Sequence, residues 1–430
     1  PTERNEVVEL TVWDWVGDLK RIQIKDFKGN PLPFQVLDSE LVNYWDHKYV
    51  RVLVQTKVPG CGYTTVVLSE AELLEYPVYL QSGEQVARFF DDCTLENEYL
   101  RVKIDASSGR VTSMVEKATG QEMIATGEDA GLNLIDTETA TSNAWNIGRH
   151  IQRTPLNKCL RLEKTASGEL RNSVKATFAI RESKAEIVYS LEAGAKVLKM
   201  EMKVDWHEIG KETIPVLEYK VPLSYQTEGF LYDVPAGVIT REALNNDVPA
   251  LKFGLAKNGS GRSVALYSDC KYGYRGYPDA LGLTLINSST SPDPYPERGI
   301  HTMTLWMGAC EASPAQAEEI AWNCQHKLFY QPSNCHYGKL PMEDGLLSAA
   351  GENVFLSAVL LDADGNLLVR GFELAGEKSE VKLNFERPVL KAEPVKLFGE
   401  KTDLEISAEE DQICVNVSPY SIFECKIFFA

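Results

Sequence analysis

Six histidines, nine cysteines and 62 aspartates and glutamates hold most of the reactive groups in this 430-residue sequence. Their spacing does not assemble them. His47, His150, His207, His301, His326 and His336 stand singly, none within four residues of another. His207-Glu208 opens like half of a zinc-protease helix, but that chemistry needs a second His one turn later to share the metal, and none follows. His47 follows Asp46 and reads as a surface histidine with an acidic neighbour. The cysteines at 61, 93, 159, 270, 310, 324, 335, 414 and 425 are odd in number, scattered and free of any C-x-x-C pair. They argue against a disulfide framework or a zinc ribbon, and for thiols in a reducing, cytoplasmic compartment. No G-x-S-x-G elbow, P-loop or dinucleotide fingerprint occurs. With so many carboxylates, a glycosidase pair cannot be chosen by spacing. The residues alone nominate no catalytic group, no metal ligand and no cofactor.

Aromatic rings are the remaining candidates, because sugar rings stack their C–H faces on exposed Trp and Tyr. Trp145 lies in the stretch Thr141–His150, which is polar, contains glycine and lacks strand alternation. It could form a platform flanked by the amides of Asn143 and Asn146, or plug a core from a loop. Lys271-Tyr272-Gly273-Tyr274 poses the same choice on a second loop.

These loops must hang on strands. Val8, Leu10 and Val12 alternate with polar neighbours, as do Val50, Val52 and Val54, and again Leu198, Met200, Met202 and Val204. Period two is the mark of half-buried strands. Val174–Ile180 and Ala185–Leu191 flank a polar turn at Glu182–Lys184 and predict a hairpin, as do Val354–Leu360 and Leu367–Leu374 around Asp364-Gly365-Asn366. The clearest helix signal is Ser313-Pro314 with Gln316 completing a capping box, which predicts a helix near 314–326. A further helical turn is expected at Ser69–Leu74. The sequence therefore reads as all-β: a small β domain over 1–80, a large two-sheet unit over 81–311, a helix and linker over 312–346, and a terminal β-sandwich over 347–430.

The charge balance excludes some partners. Forty-four Lys and Arg against 62 Asp and Glu leave a formal charge of −18, with no clustered basic stripe. Such a chain has no electrostatic attraction for nucleic acid or for an anionic membrane. No apolar run approaches the ~18 residues of a membrane span. The chain opens on Pro1 rather than Met, as expected of a trimmed piece.

An ordered series of segments resembles family 38 glycoside hydrolases, the retaining α-mannosidases. Leu95-Glu-Asn-Glu-Tyr-Leu-Arg-Val102, followed by Gly109 and a strand ending at Glu116-Lys117, resembles the opening of that family's large β domain. Asp233-Val-Pro-Ala-Gly237 with Arg241 is similar to its D-V-P-x-G stretch, and Asp269–Tyr274 to its N-D-x-K-Y-G-Y loop. Pro292-Asp-Pro294 and Gly299-Ile-His301 match further elements, and Val354–Arg370 through Pro419–Cys425 resembles its terminal sandwich. The resemblance implies a large β supersandwich at 81–311. It also implies that the nucleophile, the acid/base and the zinc ligands lie in a catalytic domain upstream. That missing N-terminal domain would be this chain's main partner, with mannosides or oligosaccharides as substrates; homo-oligomerisation is left open. Ser142-Asn143-Ala144-Trp145 matches the family stretch that brings an aromatic to the sugar, with Trp for the more common Tyr. Asn143 and Asn146 stand where a related branch has acids, so hydrogen bonding would replace charge. Asn287 aligns with a family Arg that touches substrate, so a cation is not carried over. The expected substrate-binding residues are Asn143, Trp145, Asn146, Lys271, Tyr272, Tyr274 and Asn287. A free-standing carbohydrate-binding β-sandwich protein is the alternative.

Overall fold

A computed structural model describes residues 2–38, 40–72, 93–293, 297–396, 400, 402 and 404–429. The expected boundary near residue 80 lies outside them, as does the end of Pro292-Asp-Pro294. Strands dominate, and Pro314–Gln325 is the one α-helix among the described residues.

The first unit pairs Arg4–Trp13 with His47–Val58, placing Val8 opposite Val54, Leu10 opposite Val52 and Val12 opposite Val50. The alternating valines face one way and meet Ile22, Ile24 and Val36 in a small core. The helical turn expected at Ser69–Leu74 does not form at its start. Val66–Glu70 is a strand pairing with Ile22–Asp26, whose Ile22 and Ile24 are buried, and residues 73–74 are not described.

The central unit stacks a nine-stranded sheet on a six-stranded one, preceded by a four-stranded sheet. Leu198, Met200, Met202 and Val204 all point into the core between the sheets, with Trp206 at the end of the same row. The hairpin at 171–192 forms, but its turn is tighter than the sequence suggested. Ile180 pairs with Ser183, so only Arg181 and Glu182 span it. Arg181 adopts φ 41°, and its guanidinium reaches Asp136 at 2.5 Å on the other sheet. The last unit faces two four-stranded sheets across a core of Val369, Leu383, Ile413, Val415 and Ile427. Its hairpin at 361–367 turns on Gly365 at φ 83°, a conformation that favours glycine.

The helix does more than connect. Ser313 accepts from Gln316 N at 3.4 Å, while the Gln316 side chain accepts from Glu311 N instead of closing a capping box. Ala317, Ala321 and Cys324 pack on Leu231, Phe253 and Tyr267 of the nine-stranded sheet. Lys252 clamps this contact, meeting buried Asp233 at 3.1 Å and buried Glu318 of the helix at 2.7 Å. The other oxygen of Asp233 accepts from the amides of Leu251, Lys252 and Phe253, which accounts for the Asp in the D-V-P-x-G stretch. Trp322, next on the helix, meets Phe355 edge-on at 5.0 Å and so joins the terminal unit.

Two further contacts tie the units together. Gln35 of the first unit accepts from Leu170 N and Arg171 N of the second, and Arg171 pairs with both Glu9 and Glu192. The segment after the helix returns to the first unit, where Glu343–Asp344 pairs with Tyr63–Thr64.

Candidate functional site

The six-stranded sheet gathers most of the expected site residues at one end. Its strands include His150–Pro155, Gly131–Glu138, Thr213–Pro222, Ala280–Asn287 and Gly273–Tyr277, in that order. Glu138 pairs with Thr213, Val216 with Asn287 and Thr284 with Gly273. The loops 139–149, 269–272 and 288–293 therefore leave the same edge. Three strand spacings of about 4.8 Å separate the first of them from the second, roughly 14 Å, a span on the scale of a short oligosaccharide.

The 139–149 loop is built around Asn143. Its side-chain oxygen accepts from Thr290 N at 2.8 Å and Ser291 N at 3.0 Å, and its amide donates to Thr290 Oγ1 at 2.9 Å. Asn287 donates to the Asn143 carbonyl at 2.9 Å. Trp206, fully buried, donates to Ser288 Oγ at 2.8 Å and holds that segment from below. Ser142 takes φ 57°, and its carbonyl accepts from Trp145 N. A side chain at Gly148 would strike the Glu138 carbonyl at 2.0 Å, so only glycine lets the loop close on its strand.

This network sorts the expected residues. Asn143 and Asn287 spend their amides on the loop itself and act as its pins. Trp145 is left outside, 73% exposed, with Asn146 exposed beside it. Tyr272 is also exposed, while Lys271 is half-buried with its amide bonded to Ser268. Tyr274 must be corrected to a core residue. It is fully buried, packs against Tyr232 at 6.2 Å and donates to the Lys252 carbonyl at 3.1 Å, so no ligand can reach its ring. The pins Thr290, Ser291, Ser288 and Trp206 had no signal in the sequence, since each partner lies tens of residues away or more.

His47 and His207 each pair with an aspartate. His47 pairs with Asp14 at 2.8 Å rather than with its neighbour Asp46. His207 meets Asp205 at 2.9 Å, while Glu208 turns away to accept from Ser183 Oγ and Glu182 N. Among the described residues, no three His, Cys, Asp or Glu side chains are grouped as metal ligands would be. No described helix is long and apolar enough to cross a membrane.

The outer face of the same sheet holds a buried charged cluster that sequence reasoning missed. Tyr277 donates to Glu218 at 2.5 Å, Arg153 donates to both, and Arg275 pairs with Asp247 at 2.5 Å. Burial pushes the Glu218 carboxyl up, against the pull of Arg153. Burial, with Arg275 and Arg153 nearby, pushes the His150 imidazole down to about 3. An unfolded His titrates near 6.5, so protonation favours the unfolded chain. The stability this neutral His150 supplies is complete above pH ~6.5 and is lost as pH falls towards about 3. Thermal melts between pH 7 and 4 should show a steeper fall for the wild type than for His150→Gln. Parallel curves would mean that His150 does not couple to folding.

Comparison with known proteins places this architecture. A profile of the "Glycosyl hydrolases family 38 C-terminal domain" matches residues 95–295, and one of the "Glycosyl hydrolases family 38 C-terminal beta sandwich domain" matches 353–423. Alpha-mannosidase 2C1 of Homo sapiens is 28% identical over 64% of this chain and 28% of its own length. Its Mus musculus counterpart is 24% identical over 86% of this chain and 37% of its own. The chain thus spans little more than a third of those relatives at most. A crystal structure of an alpha-mannosidase from Enterococcus faecalis shares the fold over 99% of this chain and 55% of its own, at TM-score 0.74 and 15% identity. The two profiles cover both large sandwiches, and the chain belongs to glycosyl hydrolase family 38, matching that family's C-terminal domains.

Proposed function

We propose that this chain completes a retaining, zinc-dependent α-mannosidase acting on mannose-containing glycans, and that the loop carrying Trp145 forms part of the sugar-site wall. The exposed Trp145 on a loop pinned from three sides carries this reading. A ring carried on a pinned backbone loses less freedom when a sugar stacks on it than one on a loose loop, so more of its contact energy goes into binding. Asn146 and Tyr272, exposed along the same edge, would hydrogen-bond sugar hydroxyls.

In a retaining glycosidase one carboxylate attacks the anomeric carbon, and a second protonates the leaving oxygen and then activates water. We assign both to the upstream domain, because the relatives extend far beyond this region. Among the described residues no three His, Cys, Asp or Glu side chains are grouped to hold zinc, so we assign its ligands to the upstream domain as well. Trp145 orients the ring and keeps water from its face while the upstream carboxylates act. Nine free thiols support a cytoplasmic setting.

The purified 430-residue chain should leave an aryl α-mannoside intact and hold no stoichiometric zinc. The same chain produced with its upstream polypeptide should hydrolyse the mannoside and hold stoichiometric zinc. Turnover by the 430-residue chain that survives further purification would overturn the proposal, as would one tightly held zinc per chain.

A further inference from the structure

The hairpin Val42–Tyr44 to His47–Val58 in the first unit has an unexpected residue at its tip. Trp45 adopts φ 55° and is 91% exposed. A left-handed backbone disfavours bulky side chains and is usually left to Gly, Asn or Asp. Burial cannot explain the choice, since the ring touches almost nothing. Its chain neighbour Tyr44 lies edge-on to Trp13 at 5.8 Å, and Trp13 also meets Tyr49 at 5.1 Å and His47 at 6.4 Å. Trp13 and Tyr44 are themselves about half exposed. Asp14, also left-handed at φ 51°, accepts from Lys48 N at 3.1 Å and pairs with His47, leaving its carboxylate open to solvent.

Flat apolar faces beside a fixed carboxylate select a particular chemistry. The rings suit the C–H face of a pyranose, and the carboxylate accepts its hydroxyls. The same carboxylate, on a chain of charge −18, repels anions. We propose that the surface formed by Trp13, Tyr44 and Trp45 binds a neutral hexose chain. It lies on the four-stranded sheet of the first unit, whereas Trp145 belongs to the six-stranded sheet of the second. This proposal does not rest on the reading of Trp145.

Affinity electrophoresis of the 430-residue chain through gels containing soluble α-mannan tests it. The wild type should be slowed relative to a mannan-free gel. Trp45→Gly should weaken the retardation by about tenfold or more, as expected for removing a central Trp contact. Its melting temperature should hold or rise by about 1–2 °C, because glycine accepts the left-handed backbone that Trp resists. Trp13→Ala should weaken binding similarly. Unchanged migration of the wild type in mannan and in a neutral β-glucan would overturn the proposal. So would equal retardation of Trp45→Gly. Light scattering that shows self-association abolished by Trp45→Gly, with no sugar effect, would assign the surface to a second copy instead.

Discussion

Lys252→Met should lower the melting temperature of this chain by roughly 10 °C. Methionine keeps most of the packing of the lysine stem, so the change isolates the charge. In the wild type one ammonium sits between Asp233, fully buried, and Glu318, buried on the helix. Burial already pushes the Glu318 carboxyl up, with Lys252 opposing it. Without the ammonium, two carboxylates face each other out of water. Breaking a buried pair by removing one partner costs about 3–5 kcal/mol, and each kcal/mol is worth about 2–4 °C in a unit of this size. Glu318→Gln should cost less, because Lys252 then keeps Asp233 and the amide remains a partner. Differential scanning calorimetry of the three proteins decides the matter. A shift below ~2 °C for Lys252→Met would show that the clamp is solvated and that apolar packing alone seats the helix.

Trp145→Ala should reduce kcat/KM by roughly 10- to 100-fold in the polypeptide that includes the upstream domain. That range corresponds to ~1.4–2.7 kcal/mol of lost transition-state stabilisation, within reach of one aromatic contact. The melting temperature should fall by only a few degrees. A core Trp behaves the other way, since its truncation costs ~3–5 kcal/mol of stability. At 73% exposure Trp145 has little packing to lose. A large drop in stability with unchanged kinetics would remove Trp145 from the sugar site.

What the sequence disclosed depended on how far apart the interacting residues lie. Leu198, Met200, Met202 and Val204 announced a half-buried strand because the period of a strand is local, and Ser313-Pro314 announced a helix because caps are local. The pairing of Asn143 with Thr290 spans 147 residues, and that of Arg153 with Tyr277 spans 124. Neither leaves a trace in either segment alone. Tyr274 was misplaced for a related reason. In Lys271-Tyr272-Gly273-Tyr274 the two tyrosines look alike, yet the strand begins at Gly273, so Tyr272 stays on the loop while Tyr274 enters the ladder facing inward. The Trp145 loop was legible as a loop because its polar run breaks alternation. Its exposure, and the amides that pin it, needed the sheet register.

The pairing of Tyr63–Thr64 with Glu343–Asp344 also sets a schedule for biosynthesis. Thr64 donates its hydroxyl to Glu343, 279 residues further along. At about 5–20 residues per second, a ribosome takes roughly 15–55 s to reach that partner. During this interval the first unit can close its own sheets, but the backbone of Tyr63–Thr64 stays unpaired and open to any passing strand. A nascent chain stalled before residue 343 would expose that edge for as long as the stall lasts.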